Sequence, residues 1–67
     1  MIILNGERSE VPGGTTVAGV LAGLGLRPDE RGVAVAVDGE VVPRARWESF
    51  ALDGDAHVEV LTAMQGG

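Results

Sequence analysis

Met1-Ile2-Ile3-Leu4-Asn5-Gly6 decides the fold. Four apolar residues in succession, with no polar alternation, describe a strand covered on both faces and therefore interior to its sheet. Asn5-Gly6 follows at once, and that pair is the strongest short signal for a type I′ hairpin turn, because both central positions take positive φ. The returning segment Glu7-Arg8-Ser9-Glu10-Val11 is mostly polar and stops at Pro12, as suits an edge strand guarded by charge. The chain thus opens with a hairpin, inner strand first. An interior strand needs a neighbour on its other side, and the rest of the sequence must supply it.

Pro12-Gly13-Gly14 breaks the sheet, and Thr15 or Thr16 can accept a backbone N–H at the start of a helix. Val17, Val20, Leu21 and Leu24 recur at helical spacing and form one apolar stripe. Gly19 and Gly23 each cost about 1 kcal/mol relative to alanine in an exposed helix interior, so burial of the stripe, not propensity, holds this helix. Gly25 is placed to end it, with Leu26 folding back on the last turn. Arg27-Pro28-Asp29-Glu30-Arg31-Gly32 reads as a polar loop.

Val33-Ala34-Val35-Ala36-Val37 alternates large and small, which sets the valines against the helix. The alanine face is either exposed or lets another protein's backbone approach closely. Asp38-Gly39 signals a second hairpin, leading to Glu40-Val41-Val42 and stopping at Pro43. Trp47 and Phe50, three apart, close the end of the core. Arg44 and Arg46 are solvated, or contact an acidic partner or the phosphate of a nucleotide held by that partner. Asp53-Gly54-Asp55 forms a turn, and His57 to Thr62 forms the last strand, with Val58 and Val60 inward and His57 on the surface.

The last strand can lie parallel beside the first, because a long crossover separates them. That pairing supplies the missing neighbour of Met1 to Leu4. The fold class is α+β, a β-grasp as in ubiquitin: a mixed sheet of about five strands clasping one helix. Residues 1–63 form the single domain, and residues 64–67 form a flexible C-terminal tail.

Composition narrows the function. A 67-residue chain makes one domain, and at about this size only about 60% of the unfolded surface is buried, so the stability margin is small. With no cysteine and a single His57, there is no disulfide, thiol nucleophile or metal cluster. The net charge of −5, with no basic patch, argues against nucleic acid or an anionic membrane as partner. No apolar run approaches a membrane span, and the first residues lack the basic flank of a signal peptide, so a cytoplasmic location is expected. The sequence carries no Ser–His–Asp set, no phosphate-cradling Gly-x-Gly-x-x-Gly and no metal-ligand spacing, so the chain is not read as an enzyme. All five basic residues are arginine. A protein with an activated tail would then have no lysine side chain of its own to attack it, although arginine bias from codon usage accounts for the same fact.

The chemistry is concentrated in Met64-Gln65-Gly66-Gly67. Glycine costs backbone entropy wherever it is ordered, so paired glycines at a chain end bring a domain no stability. They can lie extended in a channel too narrow for side chains, leaving the Gly67 carboxylate open to attack. A carboxylate is a poor acyl electrophile and needs prior activation, as a mixed anhydride with a nucleotide phosphate. The enzyme is then the partner and this chain its substrate.

The element order, the length, Val42-Pro43-Arg44 followed by Trp47, and the Gly66-Gly67 end together resemble the sulfur carrier proteins of thiamine biosynthesis. The resemblance covers the whole chain. It implies that Gly67 is adenylated with ATP by an E1-like adenylyltransferase and that sulfur from a cysteine desulfurase or another sulfur donor replaces one carboxylate oxygen. It also implies that the Gly67 thiocarboxylate passes its sulfur to thiazole synthase. Gly66 supplies the narrow approach, Met64 and Gln65 line the tail's path into each partner, and no cofactor is held stably. Three other readings stand beside it: the small subunit of molybdopterin synthase, a ubiquitin-like modifier joined to target lysines, and a β-grasp interaction module whose glycines are incidental.

Overall fold

Asn5 and Gly6 take φ of 50° and 85°, the paired positive values of a type I′ turn, and join β1 (Ile2–Leu4) to β2 (Glu7–Ser9). The structure, a computed structural model, describes residues 1–63. The same turn recurs at Asp38 and Gly39, with φ of 50° and 85°, between β3 (Val33–Val37) and β4 (Glu40–Val41). With β5 (His57–Thr62) the two hairpins form one five-stranded sheet in the order β2-β1-β5-β3-β4. β1 runs parallel to β5 and the other pairs are antiparallel, so the expected mixed sheet and crossover are present.

β1 is flanked on both edges, as its apolar run requires, but its cover is incomplete. Ile2 is buried, whereas Ile3 and Leu4 are half-buried. Ile3 lies on the outer face, in register with Arg8 and His57.

The single described helix, α1 (Val17–Gly23), packs on the inner face. Thr16 is its N-cap, with Oγ1 accepting the Gly19 N–H at 3.1 Å, while the Thr15 hydroxyl donates to the Pro12 carbonyl at 2.6 Å. Val17, Val20 and Leu21 are buried, but Leu24 is 47% exposed, contrary to the expected stripe. The helix ends at Gly23, and Gly25, at φ 81°, reverses the chain before Leu24 can return to the core face. Leu26 folds back instead and is half-buried. Its N–H donates to Leu21 O at 2.9 Å and that of Gly25 to Ala22 O at 3.0 Å, the paired bonds of a Schellman motif.

Ile2, Val17, Leu21, Val35 and Val58 are the most fully buried side chains, so the core lies between α1 and the sheet's inner face. Trp47 closes its end beyond a 3₁₀ turn (Arg44–Arg46); the ring is buried and Nε1–H donates to Val42 O at 2.9 Å, which satisfies the one polar atom of the plug. Phe50 is half-buried and packs against the core cluster.

Candidate functional site

β5 runs through the centre of the sheet and carries the chain outward. At its start it is held on both edges. Ile3 pairs with His57 and Leu4 with Val58, the Asn5 N–H donates to Val58 O at 2.8 Å, and the Asp38 N–H donates to His57 O at 2.8 Å. The Asp38 carboxylate accepts the His57 N–H at 3.0 Å, so the turn residue of the second hairpin also fastens the strand.

Beyond Val58, β1 has ended, and one side chain continues its edge. Asn5 Oδ1 accepts the Val60 N–H at 2.8 Å and Nδ2 donates to Val60 O at 3.3 Å, reproducing the pair of bonds a further strand residue would make. On the opposite edge β3 stays in register from Val37↔Val58 to Val33↔Thr62. The Ala63 N–H then donates to Gly32 O at 2.6 Å. Gly32 has φ 73°, and a Cβ built there would stand 3.1 Å from the Ala63 Cβ.

An open cleft of about 650 Å3 adjoins this exit, lined by Thr62, Ala63, Leu26 and the charged loop that contains Arg27, Asp29, Glu30 and Arg31. The loop is braced locally. Arg27 pairs with Asp29 at 3.3 Å in full view of solvent, and the Arg27 N–H donates to Glu30 Oε1 at 3.3 Å. Arg44 reaches in from the 3₁₀ turn, donating through both terminal nitrogens to the carbonyls of Pro28 and Glu30, with its guanidinium 4.4 Å from the Trp47 ring centroid. Arg44 is exposed, as expected of a solvated side chain, and also braces the loop at the exit. Arg46 is exposed, 5.8 Å from the Phe50 ring centroid.

The alanine face of β3 is open: Ala34 is exposed, Ala36 is half-buried, and their register neighbours Leu61 and Val41 are 68% and 76% exposed. Asp55, at φ 65°, is a turn residue whose N–H donates to Met1 O at 2.7 Å. His57 is exposed on β5, and its described hydrogen bonds are made by its backbone. Among the described residues, no group of three or more His, Cys, Asp or Glu side chains is placed to hold a metal ion. No described helix is long and apolar enough to cross a membrane.

The expected reactive Gly67, and Met64, Gln65 and Gly66 before it, lie outside the described residues, as does the expectation of a flexible tail from residue 64. What the structure places is the point from which they depart. Two residues at that exit escaped sequence reasoning. Asn5 was legible as a turn former but not as an extension of β1; its amide, which Asp and Gly lack, was the available signal. Gly32 was legible only as the last residue of a loop, although a glycine directly before a strand can mark a left-handed or crowded backbone position.

The family model described as ThiS family matches residues 2–67. The chain belongs to the ThiS family. Two solved structures of the thiamine biosynthesis protein (ThiS) from Geobacter metallireducens share its fold. The crystal structure superposes with a TM-score of 0.75 at 29% identity, covering 98% of this chain and 97% of the other. The solution structure gives a TM-score of 0.78 at 31% identity, covering 98% and 86%. The β-grasp read from the sequence is therefore the fold of the family. A curated relative, the thiazole synthase of Magnetococcus marinus, is 39% identical over 66 residues, which make up 98% of this chain. The chain spans about a fifth of that relative's length, since the match covers 20% of it.

Proposed function

We propose that this chain is a sulfur carrier of thiamine biosynthesis, a protein co-substrate whose reactive group is the Gly67 carboxylate. The observation that carries the reading is the family match, which extends through Gly67. The geometry is compatible with it: the central strand ends beside an open cleft at the surface.

The steps follow from acyl chemistry. One Gly67 carboxylate oxygen attacks the α-phosphorus of ATP on an E1-like adenylyltransferase, and pyrophosphate leaves. A sulfur nucleophile drawn from cysteine by a desulfurase then attacks the acyl carbon, and AMP leaves with the oxygen that bridged to phosphorus. When the sulfur arrives as a persulfide, the acyl disulfide so formed is cleaved by a second thiol of the donor system, which becomes part of a disulfide as the thiocarboxylate leaves. That thiocarboxylate is a better nucleophile than the carboxylate it replaces. Thiazole synthase consumes it. ATP is thus spent by the activating enzyme and is not a cofactor of this chain, and the work is done in the cytoplasm.

Thiazole synthase is preferred to a pterin-forming enzyme as acceptor because a protein named thiazole synthase contains a stretch homologous to this entire domain. Two functions joined in one polypeptide act near one another. The domain's own task is to present the tail. Ordering each tail residue costs about 1–2 kcal/mol of backbone entropy, which contacts inside the partner must offset.

The test is reconstitution. Mixed with the activating enzyme, ATP and a sulfur donor, the chain should gain a mass equal to replacement of one oxygen by sulfur, located at Gly67 by fragmentation. Persistence of the plain carboxylate under those conditions would dismiss the carrier reading in favour of a binding module. For a binding module, deletion of Gly66 and Gly67 would change nothing.

A further inference from the structure

Gly32 meets two separate demands at the point where the chain leaves the sheet. Its φ of 73° lies in the left-handed region, where side chains are rarely accommodated. An added Cβ would also stand 3.1 Å from Ala63 Cβ and 3.6 Å from both the nitrogen and the oxygen of Ala63, tighter than ordinary contact at its closest point. The Gly32 carbonyl meanwhile accepts the Ala63 N–H at 2.6 Å. On the opposite edge the Asn5 side chain makes its bonds no further along than Val60. From Leu61 onward, β5 is aligned by β3 and Gly32.

We infer that Gly32 is a positioning residue for acyl transfer at Gly67: it fixes the direction in which the chain departs at Ala63, and hence where the carboxylate arrives when the domain is docked. This rests on the sulfur-carrier reading. Four residues extended in a channel reach about 14 Å at most, and the few tenths of an ångström by which Ala63 must give to a Cβ added at Gly32 change the direction of departure, an error that this length multiplies at the carboxylate. Either the reacting atoms fall out of line or the docked domain must tilt to restore them. Displacement of even about 1 Å by a remote substitution can cost about a hundredfold in rate.

The experiment uses the full chain with its activating enzyme and ATP, following pyrophosphate exchange, with exchange of the Ala63 amide proton as a readout independent of activity. Gly32→Ala introduces strain and contact together. Gly39→Ala is the control, because Gly39 has φ 85° with nothing within 4 Å of an added Cβ, so it carries the strain without the contact. At a temperature where both variants are folded by Trp47 fluorescence, Gly32→Ala should speed Ala63 exchange and lower kcat by about ten- to a hundredfold, with KM for the carrier within about twofold. Gly39→Ala should match the parent in both constants. Adding Ala63→Gly to Gly32→Ala removes the crowding and should restore most of kcat. Where Gly32→Ala does not fold, Ala63→Val crowds the same contact without left-handed strain and carries the same expectation.

An unchanged kcat in folded Gly32→Ala despite faster Ala63 exchange would overturn the inference and leave the carrier standing. An equal loss in Gly39→Ala would likewise reduce Gly32 to a structural residue. Failure of the parent chain itself to exchange pyrophosphate would overturn the carrier reading, and this inference with it.

Discussion

The two ends of β5 are built differently. At its start, the strand is bonded on one edge by β1 and on the other by Asp38, and its Val58, like Ile2 of β1, is 1% exposed. At its finish, the β1 edge is continued only as far as Val60 by the Asn5 amide, Leu61 faces solvent, and Ala63 is bonded to Gly32 on the β3 edge. One strand therefore serves two purposes. Its base closes the crossover on which the fold depends, and on the proposed reading its tip presents the tail, so stability and presentation can be perturbed separately.

The sharpest separation is expected at the chain's end. Gly67→Leu should abolish adenylation, since a side chain blocks both the channel and the approach to the acyl carbon, while the urea midpoint followed by Trp47 fluorescence stays at the parental value. Normal adenylation of that variant would rule out the channel argument. The base should respond in the opposite sense. Ile2→Ala should lower stability by about 2–5 kcal/mol, enough to leave a domain of this size largely unfolded, with adenylation falling only in step with the folded fraction. A well-folded Ile2→Ala protein with damaged kcat would erase the distinction between base and tip.

Asn5 stands at the join. Asn5→Gly keeps the type I′ turn but removes both bonds to Val60, and should cost about 2 kcal/mol in denaturant unfolding, because the Val60 N–H and carbonyl lose their partners. Asn5→Asp keeps the acceptor for the Val60 N–H and should cost less. Equal losses in the two variants would show that the turn geometry, not the strand extension, explains the choice of asparagine.

What was legible in the sequence was what neighbouring residues decide. Asn5-Gly6 and Asp38-Gly39 revealed both hairpins because the φ requirement is local, and Thr16 marked the helix start for the same reason. Leu24 misled because periodicity carries the stripe past the point where the Gly25 reversal ends the helix. The cover on β1 was overestimated because an apolar run does not distinguish a face packed on a helix from one left half-open beside polar register neighbours such as Arg8 and His57. Arg44 and Gly32 were illegible as parts of the exit for another reason. Arg44 bonds backbone carbonyls, which any residue offers, and the crowding of Gly32 arises from Ala63, far along the chain. The family was legible from the whole chain, its Gly66-Gly67 end included, while the contact between Gly32 and Ala63 was not.

The smallest stability effect should come from Leu61→Ala at the tip. Leu61 is 68% exposed opposite Ala34, whereas its neighbour Val60, pointing to the other face, is 8% exposed. A surface truncation of this kind should fall within about 0.5 kcal/mol of the parent in denaturant unfolding. A cost above about 1.5 kcal/mol that grows with protein concentration would mean that two copies cover this face in solution. The informative case is unchanged stability with a raised KM and a constant kcat in adenylation. It would assign docking to the outer face and leave alignment of the tail to the exit at Gly32 and Ala63. A fall in kcat at constant KM would instead extend the aligning role from Gly32 back along β5, and the tip would then act as one rigid unit.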